Sequence, residues 1–410
     1  MSEILFLAHR VPFPPNRGDK IRSHHLLKAL TRIGPVHVGC FSESAEDREA
    51  TSEVETVSAS HCVVHRSKPL ALAGVEAVLT GKPVSLTAFH SAKLEKWVTR
   101  TLAERPISAI VVFSGQMGQY VPDDFTGSVV IDLCDVDSAK FEGYAAAGER
   151  VWLNAREAEL LAAEEERLAH RADAVTLISD SEAALFRSRM KRLKDIELVV
   201  MGNGIDAEAF ARRDVTAHAE LNATTGPHFV FTGQMDYRPN EAAALWAAQS
   251  FMPLAQERFP EAQFHIVGRN PTAALKALHG KYGVRVWGEV PDVRPFLAAA
   301  SCVIVPLQIA RGVQNKVLEA MAMECPVLLT PEAATGIDAR DGEEWMVAPA
   351  DAHAMLDRFR QLWADPQAAH AMGQASRRFV LERHAWDAQL APLQELVTGK
   401  TRTGEARSAA

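Results

Sequence analysis

The sequence has few cysteines, no long apolar run and no surplus of basic charge. Each absence removes a class of protein. The five cysteines, Cys40, Cys62, Cys134, Cys302 and Cys325, are odd in number, form no C-x-x-C and lie in or beside apolar runs. That pattern excludes a disulfide framework and a zinc ribbon, and it fits free buried thiols in a reducing compartment. No apolar run approaches the roughly 20 residues of a membrane span. The opening MSEILFLAHRVPFPP has an apolar run between Glu3 and Arg10 that is too short for a secretory signal, so a cytoplasmic location is expected. The net charge is −8: the first 200 residues carry 24 basic and 28 acidic side chains, the other 210 carry 20 and 24. Neither half has the basic balance of a nucleic-acid module. No H-E-x-x-H or Cys/His ligand spacing occurs, so no metal site is expected. His24 and His25 fall inside an amphipathic helical pattern.

What is present is the composition of a soluble globular protein, 47% apolar and 23% charged, at a length suited to two domains. Short Val/Ile-rich runs alternate with longer helical patterns, the signature of parallel sheets with crossover helices. The first half predicts strands at 4–8, 36–41, 62–65, 109–113, 129–133, 174–179 and 197–201, with helices such as 21–31, 92–103 and 152–170. Residues 211–227 are polar and weakly periodic and read as an interdomain connection. The alternation then restarts with strands at 229–233, 264–268, 284–288, 302–306, 326–330 and 345–349, a long helix at 240–258 and an all-helical stretch at 351–397. The expected fold class is α/β, two Rossmann-like doubly wound domains facing across a cleft. Residues 1–205 are expected to form the first domain and 206–384 the second; 385–398 is a helix packing back on the first domain, and 399–410 is a disordered tail. Sheets of this kind bind ligands outside the carboxyl ends of their strands, so the loops after strands are where chemistry is sought.

One such loop reads RGVQNKVLEAMA, between the runs CVIVP and PVLLT. At helical spacing Asn315, Lys316 and Glu319 share a face while Val317, Leu318 and Met321 point into the packing. Gly312 lets a ligand approach the backbone. First-turn N–H groups, the helix dipole and Lys316 favour an anion, and Glu319 can accept hydrogen bonds from sugar hydroxyls. Phosphate at the helix mouth and ribose beside it describe a nucleoside diphosphate. The plainer alternative is a Lys–Glu pair on a solvated face, worth about 0.2–0.5 kcal/mol.

Other strand-end loops carry further candidates. In HRVPFPPNRGDK, Arg17 and Lys20 flank Gly18 at a helix start, either as ordinary helix-start residues or as contacts to a ligand at the strand's end. IDLCDVDSAKF contains the weak metal-binding triplet Asp135-Val136-Asp137; either Asp137 or Ser138 caps the next helix, or one of Asp135 and Asp137 stands in a ligand pocket and orients a hydroxyl. VVFSGQMGQY places Ser114 and Gln116 after a strand. MGNGIDA satisfies G-x-G-x-x-A, but neither the long helix nor the acid of a dinucleotide fold follows. Asn203-Gly204 therefore reads as a hinge turn. The basic run RSRMKRLKD is a solvated helix face or a patch for anionic lipid.

The chain resembles the GT-B glycosyltransferases, specifically glycosyltransferase family 4, and within it the sugar transferases of exopolysaccharide and PEP-CTERM systems. AHRVPFPPNRGDKIRSHHLLKAL, IDLCDVDSAKF, VMGNGIDAEAF, FTGQMDYRPNEAA and ARGVQNKVLEAMAMECPV carry the resemblance in the family's order. It implies retaining transfer of a sugar, without a metal or other cofactor, from a nucleotide-diphosphate donor to a saccharide acceptor, with the acceptor held by the domain 1–205 and the donor mainly by the domain 206–384. A lipid-linked acceptor at the inner face of the cytoplasmic membrane, with the protein in peripheral contact, fits the same resemblance. Gly18, Gly233, Arg238, Gly312, Asn315, Lys316 and Glu319 would bind the donor, with Glu319 on the ribose. Arg17, Lys20, Ser114, Gln116 and Asp137 would bind the acceptor, and Arg311, Lys316 and Asp135 would act in catalysis. The sequence departs from the family at two places. Arg311 stands where the earlier glutamate of the signature is expected, and Gln234 stands where an arginine is usual. These departures keep open a sugar-nucleotide 2-epimerase or a non-catalytic nucleotide-sugar-binding protein.

Overall fold

The computed structural model describes residues 2–190, 196–310 and 313–399. The second half of the basic run RSRMKRLKD and the tail beyond residue 399 lie outside the described residues. The chain forms two compact units. One comprises the residues before Gly204 together with those from Gln389 onward; the other is Gly204–Ala388. All thirteen runs read as strands form strands, with ends displaced by no more than about two residues.

The first unit is built on β1 (Glu3–Ala8), β2 (Val36–Ser42), β3 (Ser60–His65), β4 (Ile107–Phe113), β5 (Ser128–Cys134), β6 (Ala174–Leu177) and β7 (Leu198–Val200). They pair in the order β3-β2-β1-β4-β5-β6-β7, all parallel. Continuous apolar runs such as ILFLA form central strands because helices cover both faces and no alternation is needed; Ile4 to Ala8 are all buried. Strand order reverses between β1 and β4, the switch point where such sheets open a crevice. The helix Ala391–Thr398 belongs to this unit, packing on β4 and β5, with Ser128 Oγ donating to the Leu396 carbonyl at 2.7 Å.

The second unit repeats the plan with β8 (His228–Thr232), β9 (Gln263–Val267), β10 (Val284–Gly288), β11 (Cys302–Val305), β12 (Val327–Leu329) and β13 (Met346–Val347). The order is β10-β9-β8-β11-β12-β13, again parallel, with the reversal between β8 and β11. Its core is aromatic: the Phe229 ring lies 5.0 Å from Phe251 and 4.6 Å from Phe359, both edge-on.

Two expectations change. Residues 211–227 do not connect the units but pack on the second. The His218 ring stacks on Phe296 at 4.3 Å, its backbone N–H donates to the Pro295 carbonyl at 2.9 Å, and Leu221 is buried. A few anchors hold this segment, and anchors leave no periodicity. The all-helical stretch is broken into Ala352–Trp363, Pro366–Arg383, Trp386–Gln389 and Ala391–Thr398. Asp365 makes the first break, its side chain capping the N–H groups of Gln367 and Ala368 ahead of a proline in the first turn. No described helix is long and apolar enough to cross a membrane.

Candidate functional site

A cavity of about 540 Å³ opens at the carboxyl ends of β8, β9 and β10 and at the start of the helix Asn315–Ala322, which follows β11. It therefore lies at the second sheet's switch point. Its floor is made where two glycines meet. A Cβ on Gly268 would lie 1.7 Å from the Gly233 carbonyl oxygen, so no other residue fits there. A Cβ on Gly233 would sit 3.0 Å from Asn240 Nδ2 and 3.2 Å from Lys316 Nζ. Backbone bonds lock the loops together: Gly233 N–H donates to the Val267 carbonyl at 3.2 Å and Met235 N–H to the Arg269 carbonyl at 2.9 Å.

The helix Asn315–Ala322 buries Val317, Leu318, Ala320, Met321 and Ala322, which fixes its angle and leaves its first turn toward the cavity. Arg377 Nη1 donates to the Ala322 carbonyl at 2.5 Å, a cation at the negative end of the helix. At the other end Lys316 is 9% exposed. Its Nζ donates to Asn240 Oδ1 at 2.5 Å and lies 4.5 Å from the centre of the Phe231 ring. Asn240 in turn donates through Nδ2 to the Gln234 carbonyl at 2.9 Å, so one buried amide holds both the lysine and the glycine loop.

Lys316 and Glu319 form no ion pair in this arrangement, which rules out the solvated Lys–Glu pair. Burial pushes the Lys316 ammonium down to about 8, opposed by the negative charge of Glu319. Burial also raises the Glu319 carboxyl above its ordinary range, opposed by Lys316. Among the described residues no group hydrogen-bonds the Glu319 carboxylate, which lines the cavity with unused acceptors. Across the cavity Arg269 is exposed, and its Nη2 donates to Gln234 Oε1 at 2.9 Å. Two cations, a helix N-terminus and an open carboxylate thus line one cavity, together with Glu289 and the exposed Tyr237. The cations and N–H groups suit a polyanion, and the carboxylate suits hydroxyls.

The expected donor residues Gly233, Asn315, Lys316 and Glu319 all line this cavity. Arg238 does not: it is exposed at the first position of the helix Arg238–Trp246. Arg311 and Gly312 lie outside the described residues. Gly18 belongs to the first unit, where it opens the helix Gly18–Ile33 with only open space within 4 Å of where a Cβ would stand.

In the first unit, the carboxyl ends of β1, β4 and β5 bring several predicted acceptor residues together. Ser114, with φ of 77°, follows β4 and donates through Oγ to Gln116 Oε1 at 2.7 Å. Asp137 opens the helix Asp137–Ala146, 3.8 Å from Lys140 Nζ. Partial burial holds the carboxyls of both Asp135 and Asp137 above their ordinary values, and Glu182 and Asp137 add to the effect at Asp135. Neither Asp137 nor Ser138 caps the helix; Glu165 takes that part, accepting from Ser138 N–H at 2.9 Å and Ser138 Oγ at 2.5 Å. Arg17 is exposed beside Asp19, its Nε 2.8 Å from Oδ1. Lys20 is not available as the sequence suggested. It is buried, with Nζ 2.5 Å from Asp47 Oδ1 and 3.2 Å from the Phe13 carbonyl.

Sequence reasoning missed Gly268, Arg269, Asn240 and His9. The first two were open to the rule already in use, since Gly268-Arg269 directly follows a parallel strand. Asn240 carried no signal, because a buried asparagine in a helix has no pattern of its own. His9 follows β1, packs against the rings of Phe89 and Phe113, and has a buried Nδ1 with no partner.

Residues 226–365, which include every residue lining the cavity, match the family model described as Glycosyl transferases group 1. Comparison of the whole sequence with curated proteins finds no match. Among solved structures, the chain is similar to sucrose-phosphate synthase from Thermosynechococcus elongatus (TM-score 0.58, 18% identity, 97% of this chain and 98% of that one). HepE of Anabaena, solved with UDP, gives TM-score 0.61 at 14% identity over 97% and 100%. WaaG, titled a glycosyltransferase involved in lipopolysaccharide biosynthesis, gives 0.57 at 16% over 97% and 100%. Two parallel Rossmann-like units in one chain, each with its strand order reversing at the middle, together with these likenesses, make this a GT-B fold.

Proposed function

We propose that the protein is a retaining glycosyltransferase. It takes a sugar from a nucleoside-diphosphate donor bound in the second unit and passes it to a saccharide acceptor, lipid-linked in one version, during exopolysaccharide or other cell-surface glycan synthesis. The observation that carries the reading is the cavity in which Lys316, Arg269 and a helix N-terminus converge opposite the Glu319 carboxylate, which has no hydrogen-bond partner among the described residues. The diphosphate takes the cations and first-turn N–H groups; the ribose hydroxyls donate to Glu319. The crossing of Gly233 and Gly268 lets the nucleotide lie on bare backbone. HepE, of the same fold, has been solved with UDP-glucose as well as UDP, which supports this class of donor.

Transfer breaks the bond between the anomeric carbon and the diphosphate oxygen and joins that carbon to the acceptor oxygen. The acceptor proton passes to the departing diphosphate. The protein's contribution is orientation and charge: Lys316 and Arg269 stabilise the diphosphate as negative charge develops on it. Ser114, Gln116 and Asp137, with His9 beside them, are assigned to the acceptor, and Asp135 to orienting its hydroxyl. The test is calorimetry with UDP, GDP and ADP, followed by product analysis with the matching nucleotide sugars. One nucleoside diphosphate should bind, and its sugar should be consumed only with a saccharide acceptor present. No binding by any of the three would sink the site; isomerised donor without acceptor would mean an epimerase.

A further inference from the structure

The helix Leu70–Thr80, LALAGVEAVLT, in the first unit is built inside out. Its inward face is small, with Ala73 and Ala77 fully buried, while its large side chains face outward. Leu70 is 65% exposed, Leu72 60%, Val75 58%, Val78 58% and Leu79 81%. At 100° per residue Leu72, Val75, Val78 and Leu79 span one arc opposite the two alanines, and only Ala71 shares it. The helix's one charge, Glu76, is matched by Lys68 Nζ at 2.8 Å. Trp152, 69% exposed, lies in the first turn of the helix Val151–Arg171. Arg156, one turn further along its helix on the same face, donates through Nη2 to the Ala77 carbonyl at 2.8 Å and through Nη1 to the Lys82 carbonyl at 3.3 Å.

We propose that this helix face, with Trp152, docks on the interface of an anionic lipid bilayer. The charge around the face chooses this occupant over a protein. The rim is basic although the chain carries a net charge of −8. Lys82 and Arg150 are exposed with no carboxylate at ion-pair distance among the described residues, and Arg156 adds to them, against Glu149. An apolar face that enters the acyl boundary, a tryptophan at its edge and lysine or arginine at headgroup level are the parts of an interfacial helix. This surface is separate from the basic run RSRMKRLKD, and the proposal does not depend on the reading of the cavity.

The experiment is flotation of the full chain with vesicles of phosphatidylcholine alone and of phosphatidylcholine mixed with phosphatidylglycerol. It is run for the wild type and for a Leu72→Ser, Val75→Ser, Leu79→Ser variant. The replaced side chains are solvent-exposed, so thermal unfolding of the variant should match the wild type and certify its fold. The wild type should float with the mixed vesicles and lose binding as salt rises, and the variant should bind at least tenfold less. Wild type that floats with neither vesicle, or a variant that floats equally well, overturns the proposal. So does size-exclusion chromatography showing a wild-type dimer that the variant abolishes while vesicle binding is absent, which would make the face a contact between copies.

Discussion

Lys20 and Lys316 are both buried lysines at the carboxyl end of a parallel sheet, 3% and 9% exposed, and they are held in opposite ways. Lys20 faces a carboxylate, Asp47, whose own ionised form also accepts from the N–H groups of Glu43 and Ser44. Among the described residues Lys316 hydrogen-bonds only the neutral amide of Asn240 and lies against a phenylalanine ring, with the Glu319 carboxylate near it but not paired to it. Their surroundings follow suit. In the first unit Arg22 donates all five of its N–H groups, two to Asp132 and the others to Met201, Gly202 and Asn203. Arg10 bridges Asp19 and Glu43. In the second unit Glu319 has no hydrogen-bond donor among the described residues. Charge matched inside the chain holds a fold; charge buried beside neutral groups costs stability, and a ligand that completes it recovers the loss.

The largest effect should come from removing each lysine. Lys20→Met leaves Asp47 buried without its cation and should cost about 3 kcal/mol of stability in urea unfolding. Lys316→Met removes a charge that burial already disfavours, so stability should hold or rise. Affinity for the nucleoside diphosphate that binds should fall about 100-fold, the loss of a charge-assisted contact of about 2.7 kcal/mol. Equal destabilisation by the two substitutions would erase the distinction between the two sheet ends.

The next effect is on pH. Burial holds the Lys316 ammonium at about 8, below its ordinary 10.5, so the native state releases this proton at lower pH than the unfolded chain. Between those values the unfolded chain binds more protons, and stability should rise with pH across that window. Diphosphate affinity should move the other way, constant below about 8 and falling by up to about tenfold per unit above it, because the free protein loses the cation. Both trends should vanish in Lys316→Met. Calorimetry from pH 6 to 9.5 reads the second; affinity that stays flat over that range in the wild type would remove Lys316 from the diphosphate.

The thirteen strands were legible because a parallel strand covered on both faces is a plain apolar run, and RGVQNKVLEAMA was legible because polar residues interrupted such a pattern at a strand's end. In sequence Lys20 and Lys316 look alike, both cations after a strand, and only packing reveals that Asp47, 27 residues away, reaches Lys20 while Lys316 lines the cavity. Residues 211–227 were read as a connector because their contacts, such as His218 on Phe296, join positions far apart in the chain. Asp365 could be placed as a helix cap only once the helix it starts was known.

The smallest effect concerns Gln234, which stands where the resemblance leads one to expect an arginine. The glutamine side chain does not enter as a charge; its Oε1 accepts from Arg269 Nη2 and so holds a guanidinium from the neighbouring loop at the cavity's rim. Asn270 Nδ2 ties the same two loops together at Asp236 Oδ2, 3.2 Å away. If the cation has moved from one loop to the next, Arg269→Gln should weaken diphosphate binding about tenfold, less than Lys316→Met because the side chain is exposed and screened. Gln234→Ala, which frees the guanidinium without removing it, should weaken binding about threefold, the cost of one unheld rotamer. Arg269→Lys should recover part of the loss, because it keeps the charge without the fork. Uridine, guanosine or adenosine, whichever base binds, should show none of these differences. An Arg269→Gln protein with wild-type affinity, beside a weakened Lys316→Met, would confine the diphosphate to the mouth of the helix Asn315–Ala322 and leave the rim to the sugar.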